Sequence, residues 1–303
     1  MTDRDNRRIS PAVCRRELRR RLVRRRIEAR HPNGTVRFPN RGTAASELGW
    51  SRPKQDFLET GEQHLLAKDL PRVFDVFEIP DDEQEEWQWL TEGAAVSGWW
   101  DRYDDADLSA DGRRYLAYEW GSRRQRAYTG GILHGLVQTP LYAEARMRAG
   151  LVQRSSQQMA RIVNIVQQRK AVLEAPDPLD FHLIFDESVL HRDAGQGVMA
   201  VQLASMLDLA ESHPNVTLQV VPYSAGLYPA LAGSFTLMEF GFPDDAGLVN
   251  LEPGFVESMY VEDTQQVYLY SQMFENMAEA RATSPDETLD ILRSAQSSAG
   301  SDQ

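Results

Sequence analysis

A single cysteine, Cys14, occurs in 303 residues, so the chain cannot form an internal disulfide, which suits a reducing compartment. Long apolar runs are missing as well. None approaches the ~18 residues that a membrane span needs. The opening MTDRDNRRIS is charged, with no apolar segment of a signal peptide behind it. These absences predict a soluble, cytoplasmic protein with no membrane contact. The six histidines show no H-x-H or H-x-x-x-H spacing, and one thiol cannot build a thiolate site, so no metal and no cofactor is expected.

Complete catalytic motifs are lacking too. VPYSAG places Ser224 just after a predicted strand, with Gly226 in the last position of G-x-S-x-G. Pro222 takes the place of the first glycine, however, and Pro229 falls where the following helix should start. Gly195–Ala200 fits G-x-G-x-x-A, but the preceding strand ends ten residues earlier, whereas a dinucleotide fingerprint needs its glycines directly after the strand. Both read as ordinary turns, and no enzymatic activity is expected.

What the chain does have is an uneven distribution of charge. The net charge is −12, yet residues 1–60 hold 16 Lys+Arg against 7 Asp+Glu, and the remainder 17 against 38. A basic head on an acidic body would orient the molecule on a polyanion. The alternative is that Arg-rich helices are simply well solvated.

With 42% hydrophobic residues the chain can build an ordinary core, and its length suggests about two domains. A helix is predicted over Pro11–Ala29, with Leu18, Leu22, Val23 and Ile27 as its apolar stripe and Arg15, Arg16 and Arg19 among its cations. His31–Arg41 carries two prolines and Asn33-Gly34 and reads as a loop. Asn40 is a good N-cap for a short helix with Ala44, Ala45 and Leu48 inside. Gly49 suits its left-handed end, and Ser51 caps a second helix that tolerates Pro53 in its first turn and ends at Gly61. Phe57 and Leu58 are expected to face inward. Further helices are predicted over Leu65–Phe77, with Leu66 inside, and from Pro80. The domain, residues 1–96, is thus a mainly α helix-turn-helix bundle.

Residues 97–290 form an α+β domain in this reading. Helices are expected over Tyr115–Tyr128, from Thr139-Pro140, over Gln153–Leu173, Met199–Ala210 and Thr264–Ala280, and near Asp286–Ser294. Strands are expected at Phe181–Phe185, Val216–Val221, Ser234–Phe240, Leu248–Leu251 and Glu257–Val261. Residues 291–303 read as a disordered tail by composition.

Two short helices joined at a glycine turn form the unit that places a recognition helix in the major groove. Ser51, Arg52, Lys54 and Gln55 would reach base edges, where Arg pairs with guanine and Gln with adenine. Arg15, Arg16, Arg19 and Arg41 would hold phosphates. Asp56 on the same helix repels phosphate. The competing reading is a protein-interaction module whose helix pair is a plain packing unit and does not read DNA. In the second domain, aromatic residues including Tyr115, Tyr128 and Tyr142 could line a ligand pocket, with Glu119, Gln138, Glu252 and Glu257 as its polar groups; aromatics at helical spacing are more often core.

ELGWSRPKQDFLETG resembles the recognition segment of Xre-type regulators of actinobacteria, which reads LGWS followed by K-x-x-x-x-E-T-G. GGILHGLVQTPLYAEARMRAG resembles the segment around P-G-L-L-Q-T in the C-terminal domain of the WhiJ-like members. The resemblance continues through FDESVLHR, HPNVTLQVVPYSAGLYPALAGSFTLMEF and the closing helix, and so spans most of the chain. The His31–Arg41 loop is longer than is usual there, and Gln55, Asp56 and Phe57 depart from the family pattern. The resemblance implies a transcriptional regulator, antitoxin-like, that binds double-stranded DNA as a homodimer. Its C-terminal domain would bind a ligand or a small partner protein encoded nearby. No established enzymatic activity is implied.

Overall fold

The computed structural model describes residues 8–252 and 258–301. The chain divides into two compact units, one spanning Arg8–Asp101 and one beginning at Arg102. The first is all-helical and the second mixes helices with a sheet, so the chain is a mainly α N-terminal part followed by an α+β domain.

The first unit holds α1 (Pro11–Glu28), α2 (Arg41–Leu48), α3 (Arg52–Thr60), α4 (Leu70–Phe77) and α5 (Asp81–Ala95). Their ends follow from local chemistry. Ser10 accepts from the Val13 amide and Pro11 opens α1. Asn40 and Thr43 cap each other reciprocally at α2, and Ser51 accepts from the Lys54 amide at α3. Each such cap is worth about 0.5–2 kcal/mol. Gly49 ends α2 at φ +68°, a conformation that L side chains rarely adopt, and so turns the chain sharply into α3.

Leu18, Leu22, Ala44, Ala45, Leu48, Leu58, Val73, Trp87 and Leu90 make the core. Gly93 of α5 lies so close to α1 that a Cβ there would stand 2.6 Å from Cys14 Sγ. Several sequence expectations need correction. Ile27 is exposed, and the buried stripe of α1 runs through Val13, Cys14, Leu18 and Leu22. Phe57 is 38% exposed and does not face inward. The helix expected from Leu65 is a 3-10 turn, Ala67–Asp69, that leads into α4 and leaves Leu66 exposed, because Pro71 favours a helix start in its own turn.

The second unit contains α6 (Ala110–Gly121), β1 (Arg124–Thr129), α7 (Pro140–Arg148), α8 (Ser156–Arg169), β2 (Asp180–Asp186), α9 (Val198–Ser212), β3 (Val216–Val221), β4 (Phe235–Glu239), β5 (Leu248–Leu251), β6 (Met259–Val261), α10 (Thr264–Ala280) and α11 (Pro285–Ser301). Glu257, the expected start of the last strand, lies outside the described residues. The sheet has the order β3-β2-β1-β4-β5-β6. Its first three strands are parallel, joined by helical crossovers, and the rest are antiparallel.

Alternation along the strands gives each face its own core. Phe181, Leu183 and Phe185 of β2, with Ala127, Leu218 and Val220, pack under residues of α7, α9 and α11. Tyr128, Ile184, Phe235, Leu237 and Val249 pack on Val267, Phe274 and Met277 of α10.

Two elements overturn expectation. Tyr115–Tyr128 is not one helix: α6 stops at Gly121, where the Ser122 hydroxyl donates back to the Tyr118 carbonyl, and β1 follows in the interior of the sheet. Residues 291–301 are not a disordered tail but the body of α11. Ser284 and Glu287 cap that helix reciprocally, and Leu289, Leu292, Ala295 and Ala299 face the core beside α9. Leu292 is fully buried. Leu292→Ala is expected to lower unfolding free energy by about 2–5 kcal/mol in a denaturant titration, the range for emptying a core leucine site.

Candidate functional sites

Helices α2 and α3 are joined at the Gly49 turn, and α3 with its cap presents Ser51, Arg52, Pro53, Phe57 and Thr60 to solvent. Of the two cations of α3, Arg52 is the more available, with a side chain 78% exposed and one long contact, 3.7 Å, to Asp56. Lys54 is held: its ammonium is 2.7 Å from Asp69 and lies over the Trp50 ring.

Gln55 does not reach solvent at all. It is fully buried, and its amide donates to Glu59 at 2.7 Å. This corrects its expected place at a base edge: position 55 lies one turn before Glu59, on the face of α3 that turns into the bundle. Arg16 is buried as well and cannot hold a phosphate. Arg15 is exposed at its surface but donates to the Ala94 carbonyl. Arg19 is half-buried beside Gly61. Arg41, at the start of α2, reaches Glu59 at 3.1 Å and Asp56 at 3.6 Å.

The arginine row of α1 is largely neutralised by Glu17 of the same helix and by the helices it packs on. Arg20 and Arg21 meet Glu17, Arg21 also meets Glu86, Arg25 meets Glu83, and Arg26 forms a two-bond fork with Glu59. The fold therefore regroups the charge that the sequence separates at residue 60. Between Arg8 and Asp101 there are 16 Lys+Arg and 16 Asp+Glu.

A second candidate lies in the α+β unit. The guanidinium of Arg169, at the end of α8, forms a fork with Glu119 of α6 at 2.7 and 2.8 Å. It also lies over the Tyr115 ring. Gly135 makes room for it, since a Cβ there would stand 2.0 Å from Arg169 Nη1. Burial disfavours the cation, but the Glu119 carboxylate outweighs it and holds the arginine pKa above its ordinary value.

Tyr115 Oη lies 2.9 Å from His134 Nε2 and also meets the Thr236 side chain. His134 Nδ1 accepts from the Leu136 amide, so the ring is neutral with its proton on Nε2, donating to Tyr115. Burial, reinforced by the Arg169 charge, holds His134 well below the usual histidine range. Burial, then the nearby Glu119, pushes the Tyr115 phenol well up.

Of the sequence-selected ligand residues, Glu119 and Glu252 belong to this cluster: the Glu252 carboxylate acts electrostatically on Tyr115, Arg169 and Arg146. Tyr142 and Gln138 lie against it. Tyr142 Oη accepts from the Leu133 amide, and Gln138 donates to the Leu133 carbonyl. Tyr128 is not part of the cluster, because its parity on β1 puts it on the opposite face, bonded at 2.8 Å to Tyr228. Ser224 sits exposed on the turn after β3, and Gly195 and Gly197, both at positive φ, lead into α9.

Sequence reasoning missed Arg146, Arg169, His134 and Thr236. The helical period shows that Tyr142 and Arg146 share a face of α7, but only the fold brings Glu119 of α6 to Arg169 of α8. Among the described residues no group of three His, Cys, Asp or Glu side chains is placed to hold a metal ion, and no helix is long and apolar enough to cross a membrane.

Residues 112–294, from within α6 to within α11, match a family described as a domain of unknown function (DUF5753), and the chain belongs to that family. No curated protein and no solved structure matches the chain.

Two outcomes follow from the buried cluster. Glu119→Gln leaves Arg169 buried without its counter-charge and is expected to cost about 3–5 kcal/mol in a denaturant titration. Arg148→Gln, which breaks an exposed pair with Glu144, should cost under about 1 kcal/mol. His134 is neutral in the folded state, while its unfolded pKa is near 6.5. Its contribution is complete above that pH and is lost as pH falls below it, because only the unfolded chain gains the proton. The stability–pH curve of His134→Gln should therefore be flatter than that of the parent below pH 6.5.

Proposed function

We propose that the chain is a sequence-specific, DNA-binding transcriptional regulator of the Xre type. The first unit would contact double-stranded DNA, and the α+β domain would bind a ligand or a small partner protein. The observation that carries the reading is the Gly49 turn between two capped helices, with the first turn of α3 and the Arg52 guanidinium presented outward. Base contact falls to Arg52, and backbone anchoring to Ser51 and the N-terminal end of α2. The resemblance to WhiJ-like regulators supports a homodimer on paired half-sites, acting in the cytoplasm with an antitoxin-like role.

A second reading, an interaction protein that does not read DNA, is favoured by the burial of Gln55, the balanced charge of Arg8–Asp101 and the exposure of Phe57. Because few cations on α1 and α3 are free of carboxylate partners, DNA binding in the first reading should depend on salt less steeply than that of a reader with 6–10 phosphate contacts.

A mobility shift on the DNA upstream of the chain's own gene separates the two. Arg52→Ala is expected to weaken specific binding roughly 10- to 100-fold, the worth of one bidentate base contact, with Phe57→Ala near parent level. No binding at low salt, or unchanged binding in Arg52→Ala together with loss of a co-purifying protein in Phe57→Ala, favours the interaction reading.

A further inference from the structure

An open sheet with parallel strands leaves its ligand crevice outside the carboxyl ends of those strands. Here β2 runs into a 3-10 turn, Glu187–His191, and the chain then enters α9 through Gly195 and Gly197, both at positive φ. Between this segment and α11 lies a cavity of about 770 Å³, the size of a pocket for a small organic molecule. No residue of the Arg169 cluster lines it.

The walls of the cavity divide by chemistry. One side is apolar. Leu190 and Met199 are buried at its base, and Ile291, Ala295 and Ala299 of α11 line it at intervals of four residues. That spacing sets one row of α11 toward the cavity, and the small side chains in the row leave the space open.

The other side is polar, and its two carboxylates are already engaged. Glu187 accepts from the Tyr223 amide at 2.6 Å and faces His191 Nε2 at 3.4 Å, while the His191 ring stacks on Tyr223. Asp193 accepts from the Gly195 amide at 2.8 Å. Arg192 lies between them in sequence and lines the same cavity. It is exposed, and its guanidinium makes no hydrogen bond or ion pair among the described residues. The cavity therefore holds a cation with no counter-charge of its own.

From the cavity, its apolar row and the unpaired Arg192 we infer that the α+β domain binds an organic oxyanion at this place. A carboxylate or phosphate head meets Arg192, and an apolar body lies along Leu190, Met199 and the Ile291 row of α11. A guanidinium offers either head two parallel hydrogen bonds. A cationic ligand would meet Arg192 as a like charge. This deepens the reading of the α+β domain as a ligand-binding module and rests on it.

The test uses the full chain in thermal-shift and calorimetric titrations. The probes are straight-chain and aromatic carboxylates and phosphate monoesters, from hexanoate and hexyl phosphate to indole-3-acetate and naphthyl phosphate. Each is matched with its neutral amide or alcohol and its amine, and acetate and inorganic phosphate serve as heads without a body. At least one organic anion should raise the melting temperature in a saturable way, and its neutral and cationic analogues should bind about tenfold or more weakly. The better of the carboxylate and phosphate series identifies the head. Arg192→Gln should weaken binding roughly 10- to 100-fold, the range for losing a charge-assisted bond. Arg148→Gln, the same charge change outside the cavity, should bind like the parent. Ser294→Trp, which fills the cavity from an exposed position on α11, should abolish binding with an unliganded melting temperature near the parent's.

Equal binding by the parent and Arg192→Gln overturns the assignment. So does an amine or amide that binds as tightly as its acid, or binding that survives in Ser294→Trp. If no organic anion binds but a panel of nucleosides, sugars and amines yields a compound whose binding is lost in Ser294→Trp, the oxyanion is wrong and the ligand-binding reading stands. If neither panel binds, the ligand-binding reading falls with it, and only the partner-protein role of the α+β domain is left.

Discussion

An unpaired guanidinium costs several kcal/mol to bury, and the second unit sets the guanidinium of Arg169 inside at the end of α8, so it needs a partner. Glu119 must therefore be on the facing turn of α6, which fixes how α6 and α8 lie over the sheet. Gly135 must lack a side chain to admit the Arg169 head. Burial, reinforced by the positive charge so placed, disfavours a cation at His134, so that ring stays neutral and serves as a donor to Tyr115. Tyr115 in turn reaches Thr236 on β4. One ion pair thus organises a helix, a loop and a strand into a polar interior that a purely hydrocarbon core would not provide.

The first unit uses its charges differently. Its arginines look in sequence like a surface for phosphate, but the acidic face of α5 is opposite them in the fold. These pairs are half-exposed, so each adds little to stability. Their larger effect is on the field the unit projects, which is close to balanced. DNA recognition by such a unit would rest on shape and on one or two directed contacts more than on long-range attraction.

Much of the architecture was legible in the sequence because it rests on local rules. The caps at Asn40 and Ser51, the turn at Gly49, and the strands Val216–Val221 and Leu248–Leu251 follow from short-range chemistry and alternation. β1 was not legible. Its sequence RQRAYT has no β-branched residue before Thr129, and Arg126 looks like a surface residue. In the sheet, Glu239 and Glu275 neutralise Arg126, and strands on both sides impose the extended form. The tail was misread because small residues, Ala295 and Ala299, suffice where a helix lies close to α9. The buried cluster was half-visible: Glu119 could be picked out as a carboxylate among aromatics, but its partner Arg169 and the His134 next to Tyr115 gain meaning only from the fold.

The position of β1 also bears on the order in which the chain acquires its structure. β1 pairs on one side with β2 and on the other with β4, more than a hundred residues later in the chain. The core on one of its faces is completed by Leu292, later still. During synthesis the inner strand of this sheet must therefore wait, with an unpaired edge, for segments not yet made, a situation that favours transient protection by a chaperone. The first unit carries no such dependence, since α1 finds its partner in α5 within its own hundred residues. The helical part can be in place and capped while the sheet is still an open edge.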